Sequence, residues 1–124
     1  MATIKKNWQT EETLINAATV TTGTWSGDVD LETNGMEGAH VTVDADFPAS
    51  PTDNLVVEVR ASLDGTNYDD TPLYKFEINK TTDPNQISFI IKDVTHFKLY
   101  VYRSGSTDTI TVTAKCQRWN YTSV

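Results

Sequence analysis

The chain has 124 residues, a formal net charge of -7 and an apolar fraction of 38%. That length fits one domain, and the apolar fraction lies above the range of disordered chains. Lys5 and Lys6 form the only adjacent basic pair. Because a phosphate-binding surface needs several clustered cations, the charge disfavours direct nucleic-acid binding, and we expect no nucleic-acid partner. No apolar run is long enough to cross a membrane, so we expect no membrane partner.

Cysteine usage and the N-terminal residues indicate where the protein is made. Cys116 is the single cysteine, which excludes an intramolecular disulfide and a thiolate-rich zinc site. No apolar stretch follows Lys6, so the sequence contains no recognisable secretory signal peptide. We therefore expect synthesis in a cytosol-like compartment and a fold that is stabilised by its core alone.

Polar residues dominate the start of the chain, where Trp8 is the largest side chain. We predict that residues 1–12 form an irregular N-terminal arm and that residues 13–124 form a single domain. The first strand of that domain is predicted within 13–22. A second is predicted within 25–32, where a Ser-Gly-Asp sequence interrupts it.

From residue 40 onward, apolar and polar residues alternate along most of the chain, which is typical of half-buried strands. The sequence Asp64-Gly65 predicts a tight hairpin connection over 63–67. About seven to nine strands predict an all-β fold, a two-sheet antiparallel β-sandwich, with jelly-roll and Ig-like Greek-key topologies both open. The apolar faces are predicted at 41–47, 55–61, 73–78, 87–91, 97–101 and 110–116.

A search for catalytic and metal-binding groups identifies no site. His40 and His96 lie where strands begin, and the alternation places Cys116 on a buried face, where a thiol is inert. No nucleophile elbow or glycine-rich phosphate loop is present. We therefore predict a protein that is not an enzyme and has no cofactor. Acidic residues between Asp64 and Asp70 suit either a solvated turn or, as the alternative, a calcium loop.

Aromatic residues are the remaining candidates for function, because Trp and Tyr are enriched at binding surfaces. One set lies near the termini and is a candidate protein interface: Ile4, Trp8, Trp119 and Tyr121. A second set is a candidate ligand-binding surface, with cross-strand packing as the simpler interpretation for its last two members: Trp25, Tyr68, Tyr100 and Tyr102.

The segment 59–69, VRASLDGTNYD, resembles a strand-turn-strand sequence found in small structural proteins of tailed phages. The Thr- and Val-rich segment 109–119, which leads into aromatic residues, is also similar to such proteins. Together with the short polar arm, these segments make the chain resemble the β-sandwich decoration, or cement, proteins of phage heads. The turn sequence also occurs in sugar-binding sandwiches.

The resemblance implies a non-catalytic virion protein that is made in the host cytoplasm, binds the major capsid protein and stabilises the shell from outside. It also implies a homo-oligomer, with a trimer as one form. We expect the arm and the C-terminal aromatic residues to make the contacts with the shell. The alternative is a carbohydrate-binding or tail-associated β-sandwich module.

Overall fold

The computed structural model describes residues 3–123, and every regular element in that range is a β-strand. None of these residues belongs to a helix capable of crossing a bilayer. The strands are β1 (Ile4–Trp8), β2 (Glu12–Val20), β3 (Gly23–Trp25), β4 (Val29–Asp30), β5 (Gly38–Asp46), β6 (Leu55–Ser62), β7 (Tyr74–Ile78), β8 (Asn85–Lys92), β9 (His96–Arg103) and β10 (Ile110–Ser123).

The strands form two antiparallel sheets. In sheet A the order is β1-β10-β5-β8, and β2 pairs with the same edge of β10 as β1 does. In sheet B the order is β3-β9-β6-β7, and β4 also pairs with β9. The prediction of an all-β, two-sheet antiparallel sandwich is confirmed.

The strand order identifies the topology as a jelly roll. If β1 is set aside and β3 and β4 are taken as one interrupted strand, each sheet has four strands. Their orders are β2-β10-β5-β8 in sheet A and β3/β4-β9-β6-β7 in sheet B. From β2 onward, each connection between strands crosses from one sheet to the other, except that β6 and β7 lie side by side in sheet B. This is the double Greek-key arrangement of jelly rolls, and it decides between the two topologies that the sequence left open. The interruption of β3/β4 and the addition of β1 raise the number of strands within residues 3–123 to ten.

The core lies between the sheets and is made of the inward residues of the alternating strands. Cys116 is buried on the same face of β10 as Val112 and Ala114, as the alternation predicts. Because the described chain has no disulfide, burial of these aliphatic side chains is the main source of stability. The largest fully buried side chains are Phe97, Leu55, Ile78, Ile91, Leu99, Ile110, Val20, Val41, Val43, Val57, Val59 and Val101.

The N-terminal segment is more regular than the sequence predicts. The prediction of irregular structure in residues 1–12 is wrong over Ile4–Trp8, which pairs with residues 119–123 of β10. All five residues of β1 are exposed, so the segment lacks the alternation from which a strand is recognised. Beyond Trp119, β10 pairs only with β1, and the two strands form a two-stranded ribbon. Met1, Ala2 and Val124 lie outside the described residues.

The connection between β6 and β7 is wider than the predicted tight hairpin. It spans residues 63–73, and two backbone N–H groups join it to β6: Asp69 donates to Ala61 O at 3.0 Å, and Leu73 donates to Val59 O at 2.7 Å. The Asp-Gly pair forms only an inner turn of this loop, with Gly65 at a positive φ of 76°. The loop reaches His96, because a Cβ at Gly65 would lie 3.0 Å from that imidazole ring.

Two buried aspartates join the loops at one end of the sandwich. Asp108 Oδ2 accepts hydrogen bonds from the backbone N–H groups of Thr52 and Asp53, both at 2.7 Å. Asp53 Oδ2 accepts from Thr107 and Asp108 in return, at 3.0 and 2.8 Å. The bonds from Asp53 and Thr52 lower the pKa of Asp108, although burial opposes them. Each carboxylate thus satisfies the backbone donors of the other loop.

Candidate functional site

The outer face of sheet B carries aromatic and charged side chains that contact one another. Phe97, Leu99 and Val101 of β9 point into the core and are fully buried, so the residues between them point outward. Tyr100 and Tyr102 therefore lie on the outer face of sheet B. The outward side chains of β9 are, in order, His96, Lys98, Tyr100 and Tyr102.

Three aromatic rings form a row across this face. Trp25 of β3 pairs in register with Tyr100, and their ring centroids lie 4.4 Å apart at an interplanar angle of 31°. The ring of Tyr102 lies 5.3 Å from that of Tyr100, and its hydroxyl donates to Glu58 Oε2 at 2.6 Å. Burial, followed by the bond to Glu58, raises the pKa of Tyr102 to about 12. Gly23 makes room for the row, because a Cβ there would lie 2.1 Å from the Tyr100 hydroxyl.

An ion pair in β6 attaches the loop over 63–73 to this face. Arg60 Nε donates to Glu58 Oε1 at 2.8 Å, and Arg60 Nη1 donates to the backbone carbonyl groups of Asp69 (at 3.0 Å) and Asp70. Burial opposes the charged form of Glu58, but hydrogen bonds from Tyr102 and Arg60 outweigh it and lower the pKa of Glu58. Arg60 therefore holds the end of the loop in place.

Tyr68 closes the face on the loop side and completes a cleft. Its hydroxyl donates to Asp28 Oδ1, and Lys98 Nζ lies 4.4 Å from its ring centroid, a cation–π contact. Burial, followed by the hydrogen bond to Asp28, raises the pKa of Tyr68. The cleft has a volume of about 370 Å³ and is lined by Trp25, Arg60, Tyr68, Asp69, Asp70 and Lys98.

His96 lies under the same loop among three carboxylates. Its Nδ1 lies 2.8 Å from Asp28 Oδ2 and 4.0 Å from Asp30 Oδ1, and its Nε2 lies 3.5 Å from Glu32 Oε2. The hydrogen bond to Asp28 raises the pKa of His96, against the opposing effect of burial. Hydrogen bonds from Thr33 lower the pKa of Asp30 to about 2. The cluster thus favours the imidazolium form, with Asp28 shared between His96 and Tyr68.

We expect the free energy of unfolding to fall as the pH rises through the folded-state pKa of His96. That pKa is raised above the ordinary value of 6.5, so the stabilisation is complete below pH 6.5 and is lost at higher pH. Urea unfolding between pH 6 and pH 9 measures this slope. The variant His96→Gln removes it, whereas the control His40→Gln, at an exposed histidine outside the cluster, keeps it. An unchanged slope in His96→Gln contradicts this role.

The Asp64 carboxylate is engaged within its own loop. Its Oδ1 accepts hydrogen bonds from the backbone N–H groups of Thr66 and Asn67, at 2.9 and 2.8 Å, and from the Ser62 hydroxyl at 3.0 Å. These bonds, that from Asn67 first, lower the pKa of Asp64. Among residues 3–123 no three His, Cys, Asp or Glu side chains are grouped to hold a metal ion. The Asp64 carboxylate therefore stabilises the turn of its own loop.

Cys116 is buried on the opposite sheet and lies far from this face. Burial, followed by the charge of Glu12, raises the pKa of its thiol to about 12. A thiol with such a pKa stays protonated at neutral pH and is a poor nucleophile. That the chain is not an enzyme stays a prediction.

The interface candidates near the termini meet on the β1–β10 ribbon. The ribbon pairs Trp8 with Trp119, Lys6 with Tyr121 and Ile4 with Ser123, so the side chains of all four candidates project on one side. Trp119 is only 4% exposed: it packs over Gly38 on the outer face of sheet A, with the Trp8 ring centroid 5.2 Å away. Ile4, Trp8 and Tyr121 are exposed, whereas Trp119 is buried and packs under Trp8.

No family model matches the chain, and no curated protein matches it significantly.

The sequence identified the aromatic residues of the sheet B face but missed the polar residues that fix them. Asp28, Arg60 and His96 connect the loop to the sheet. Asp28 and His96 lie 68 residues apart in sequence and meet only because β4 pairs with β9. The local signal in the sequence is the pair of opposite charges, Glu58 and Arg60, two residues apart on an otherwise mostly apolar strand.

Proposed function

We propose that this chain is a non-catalytic structural protein of a virion that binds the outer surface of a phage head and stabilises the shell. The observation that carries the proposal is the cluster of exposed aromatic and aliphatic side chains, around Lys6, on one side of the β1–β10 ribbon. Ile4 is 67% exposed and Trp8 is 45% exposed, and both project on the same side as the exposed Tyr121. Exposed aromatic and aliphatic groups clustered on one face are typical of protein interfaces.

The surface around the ribbon also suits a protein partner. Ile90 of β8 is exposed on the outer face of sheet A, and a depression of about 430 Å³ lies between it and the ribbon. Four charged residues line that depression, two of each sign: Lys6, Lys92, Glu37 and Asp93. Although the chain carries a charge of -7, this surface is locally balanced and does not repel an acidic partner.

The major capsid protein is the partner that we propose. A repeated shell offers many identical sites, so a small contact occupied at high local concentration stabilises the assembled form by mass action. The resemblance of residues 59–69 to phage structural proteins supports the same assignment, and a homo-oligomer on the shell, with a trimer as one form, is part of the proposal.

Binding of variants to heads that lack the protein tests the ribbon directly. We expect Trp8→Ala to weaken binding at least tenfold, about 1.4 kcal/mol, because it removes the largest exposed aromatic group of the face. Ile4→Glu is the second variant, since Ile4 is more exposed and its replacement leaves the fold intact. Co-sedimentation of labelled protein with heads measures the affinity.

The matched control is Trp25→Ala, which removes a tryptophan of similar exposure, 49%, from the other sheet. We expect this variant to bind heads like the unmodified protein. Equal binding by all three variants contradicts the ribbon as the interface. Loss of binding only in Trp25→Ala contradicts it as well, and assigns shell binding to sheet B.

A further inference from the structure

The cleft on sheet B is distinct from the ribbon on sheet A, and the two lie on opposite outer faces of the sandwich. We propose that this cleft binds a neutral sugar ring, as one unit of a polysaccharide chain. Trp25 and Tyr68 form its aromatic walls, and Lys98, Asp69 and Asp70 supply its polar contacts. This function is additional to shell binding and does not depend on it.

The cleft has the size and rigidity of a ligand site. Its volume of about 370 Å³ lies within the range of small-molecule pockets, about 300–1,000 Å³. Trp25 is held from behind by Tyr100, which in turn contacts Tyr102. Tyr68 is held by its hydrogen bond to Asp28. Because both walls are fixed before binding, little conformational entropy is lost when a ligand enters.

The aromatic walls favour a ligand with an apolar face. About half of the Trp25 side chain is open to solvent, since Tyr100 covers one face of its indole. The negative quadrupole of an indole face attracts the polarised C–H groups on the flat side of a hexose. A sugar ring has such a flat side, together with hydroxyl groups around its edge.

The polar groups of the cleft match those hydroxyl groups. Lys98 Nζ makes no ion pair with any residue in 3–123, so its three hydrogens are available to donate. Among the described residues, the side chains of Asp69 and Asp70 accept no hydrogen bond. Their bonds are made by the backbone: Arg60 donates to both carbonyl groups, and the Asp69 N–H donates to Ala61. A hydroxyl group both donates and accepts, so it pairs with the ammonium group and with either carboxylate.

The charges distinguish a neutral sugar from an anionic ligand. Arg60 is committed to Glu58 and to the loop. Among the described residues that line the cleft, this leaves Lys98 as the single available cation against Asp69 and Asp70. Phosphate and uronate groups meet net repulsion here, and the charge of the whole chain, -7, adds to it. A neutral hexose meets no such penalty.

Titration of the isolated protein with sugars tests the proposal. The probes are glucose, mannose and galactose hexasaccharides, with an oligouronate as the anionic probe. We expect at least one neutral probe to bind and to shift the indole N–H signal of Trp25 in a ¹H–¹⁵N spectrum. We expect Trp25→Ala to weaken that binding about tenfold or more, whereas Trp8→Ala leaves it unchanged.

Three results overturn the proposal: no neutral probe binds at millimolar concentration, Trp25→Ala binds as tightly as the unmodified protein, or the oligouronate binds best. Trp25→Ala could lose binding because the variant fails to fold, so Tyr68→Phe is a second, milder variant. It keeps the aromatic ring of residue 68 and removes only the hydroxyl group that bonds to Asp28. We expect weaker binding in Tyr68→Phe with an unchanged far-UV spectrum. Trp8→Ala and Trp25→Ala affect different faces of the sandwich. If sugar binding is not observed, the shell-binding proposal is therefore still tested independently by Trp8→Ala.

Discussion

Phe97→Ala is expected to lower the free energy of unfolding by about 3–5 kcal/mol, the range for removing a large buried side chain. Phe97 is fully buried in β9, the central partner of β6, and pairs in register with Val29 and Ala61. A domain of this size is stabilised by about 5–15 kcal/mol in total, and no disulfide offsets the loss. Urea unfolding measures the change.

Leu63→Ala is the control for this experiment, because Leu63 is 87% exposed although it is equally apolar. We expect its free energy of unfolding to stay within about 0.5 kcal/mol of the unmodified protein. A change below about 1 kcal/mol in Phe97→Ala contradicts the placement of this side chain in the core.

Trp119→Ala is expected to have a similarly large effect, about 3–5 kcal/mol, although Trp119 lies outside the main core. Its ring fills the space above Gly38, and a Cβ at Gly38 would lie 2.4 Å from the indole. Trp8 and Lys6 cover it from the other side, with Lys6 Nζ 4.8 Å from its centroid. Loss of the ring therefore leaves a cavity beneath the ribbon. Urea unfolding of the variant, compared with the unmodified protein, measures the loss.

Two further variants separate ring packing from hydrogen bonding at Trp119. Its Nε1 atom is buried without a hydrogen-bond partner among the described residues, so Trp119→Phe removes no hydrogen bond and is expected to cost clearly less than Trp119→Ala. Gly38→Ala is expected to destabilise the unmodified protein by about 1–3 kcal/mol and to cost less in the Trp119→Ala background. Equal costs of Gly38→Ala in both backgrounds contradict the contact.

The parts of the fold that the sequence predicts are those with local signals. Strands β5, β9 and β10 alternate between apolar and polar residues, and this pattern alone places Cys116 inside and Tyr100 outside. The choice of jelly roll over an Ig-like sandwich has no such signal, because it depends on which distant strands pair. That information lies in the packing of the whole core.

Two segments differ from the sequence prediction, β1 and the β6–β7 loop, and neither carries a local signal. β1 is exposed at every residue, so its pairing with β10 depends on the backbone and on contacts such as that of Trp8 with Trp119. The end of the β6–β7 loop is held by Arg60, which donates to the backbone carbonyl groups of Asp69 and Asp70 across the loop. Neither feature is visible in a short window of sequence.

The sequence identified individual residues of the two candidate sites but not how they are arranged in space. The sequence identified Trp25 and Tyr68 separately, and the structure brings them to one cleft that Lys98 also lines. It also identified Ile4, Trp8, Trp119 and Tyr121 near the two termini, which β1–β10 pairing brings to one face. A shell bound on sheet A leaves the cleft on sheet B open to the surroundings, so the two proposed functions are compatible.

Immunogold electron microscopy of particles from the virus that we propose as the source of this chain locates the protein directly. Antibodies against the purified protein report its position without any variant. We expect gold label spread evenly over the heads. Label confined to tails, or absent from the particles, contradicts head decoration.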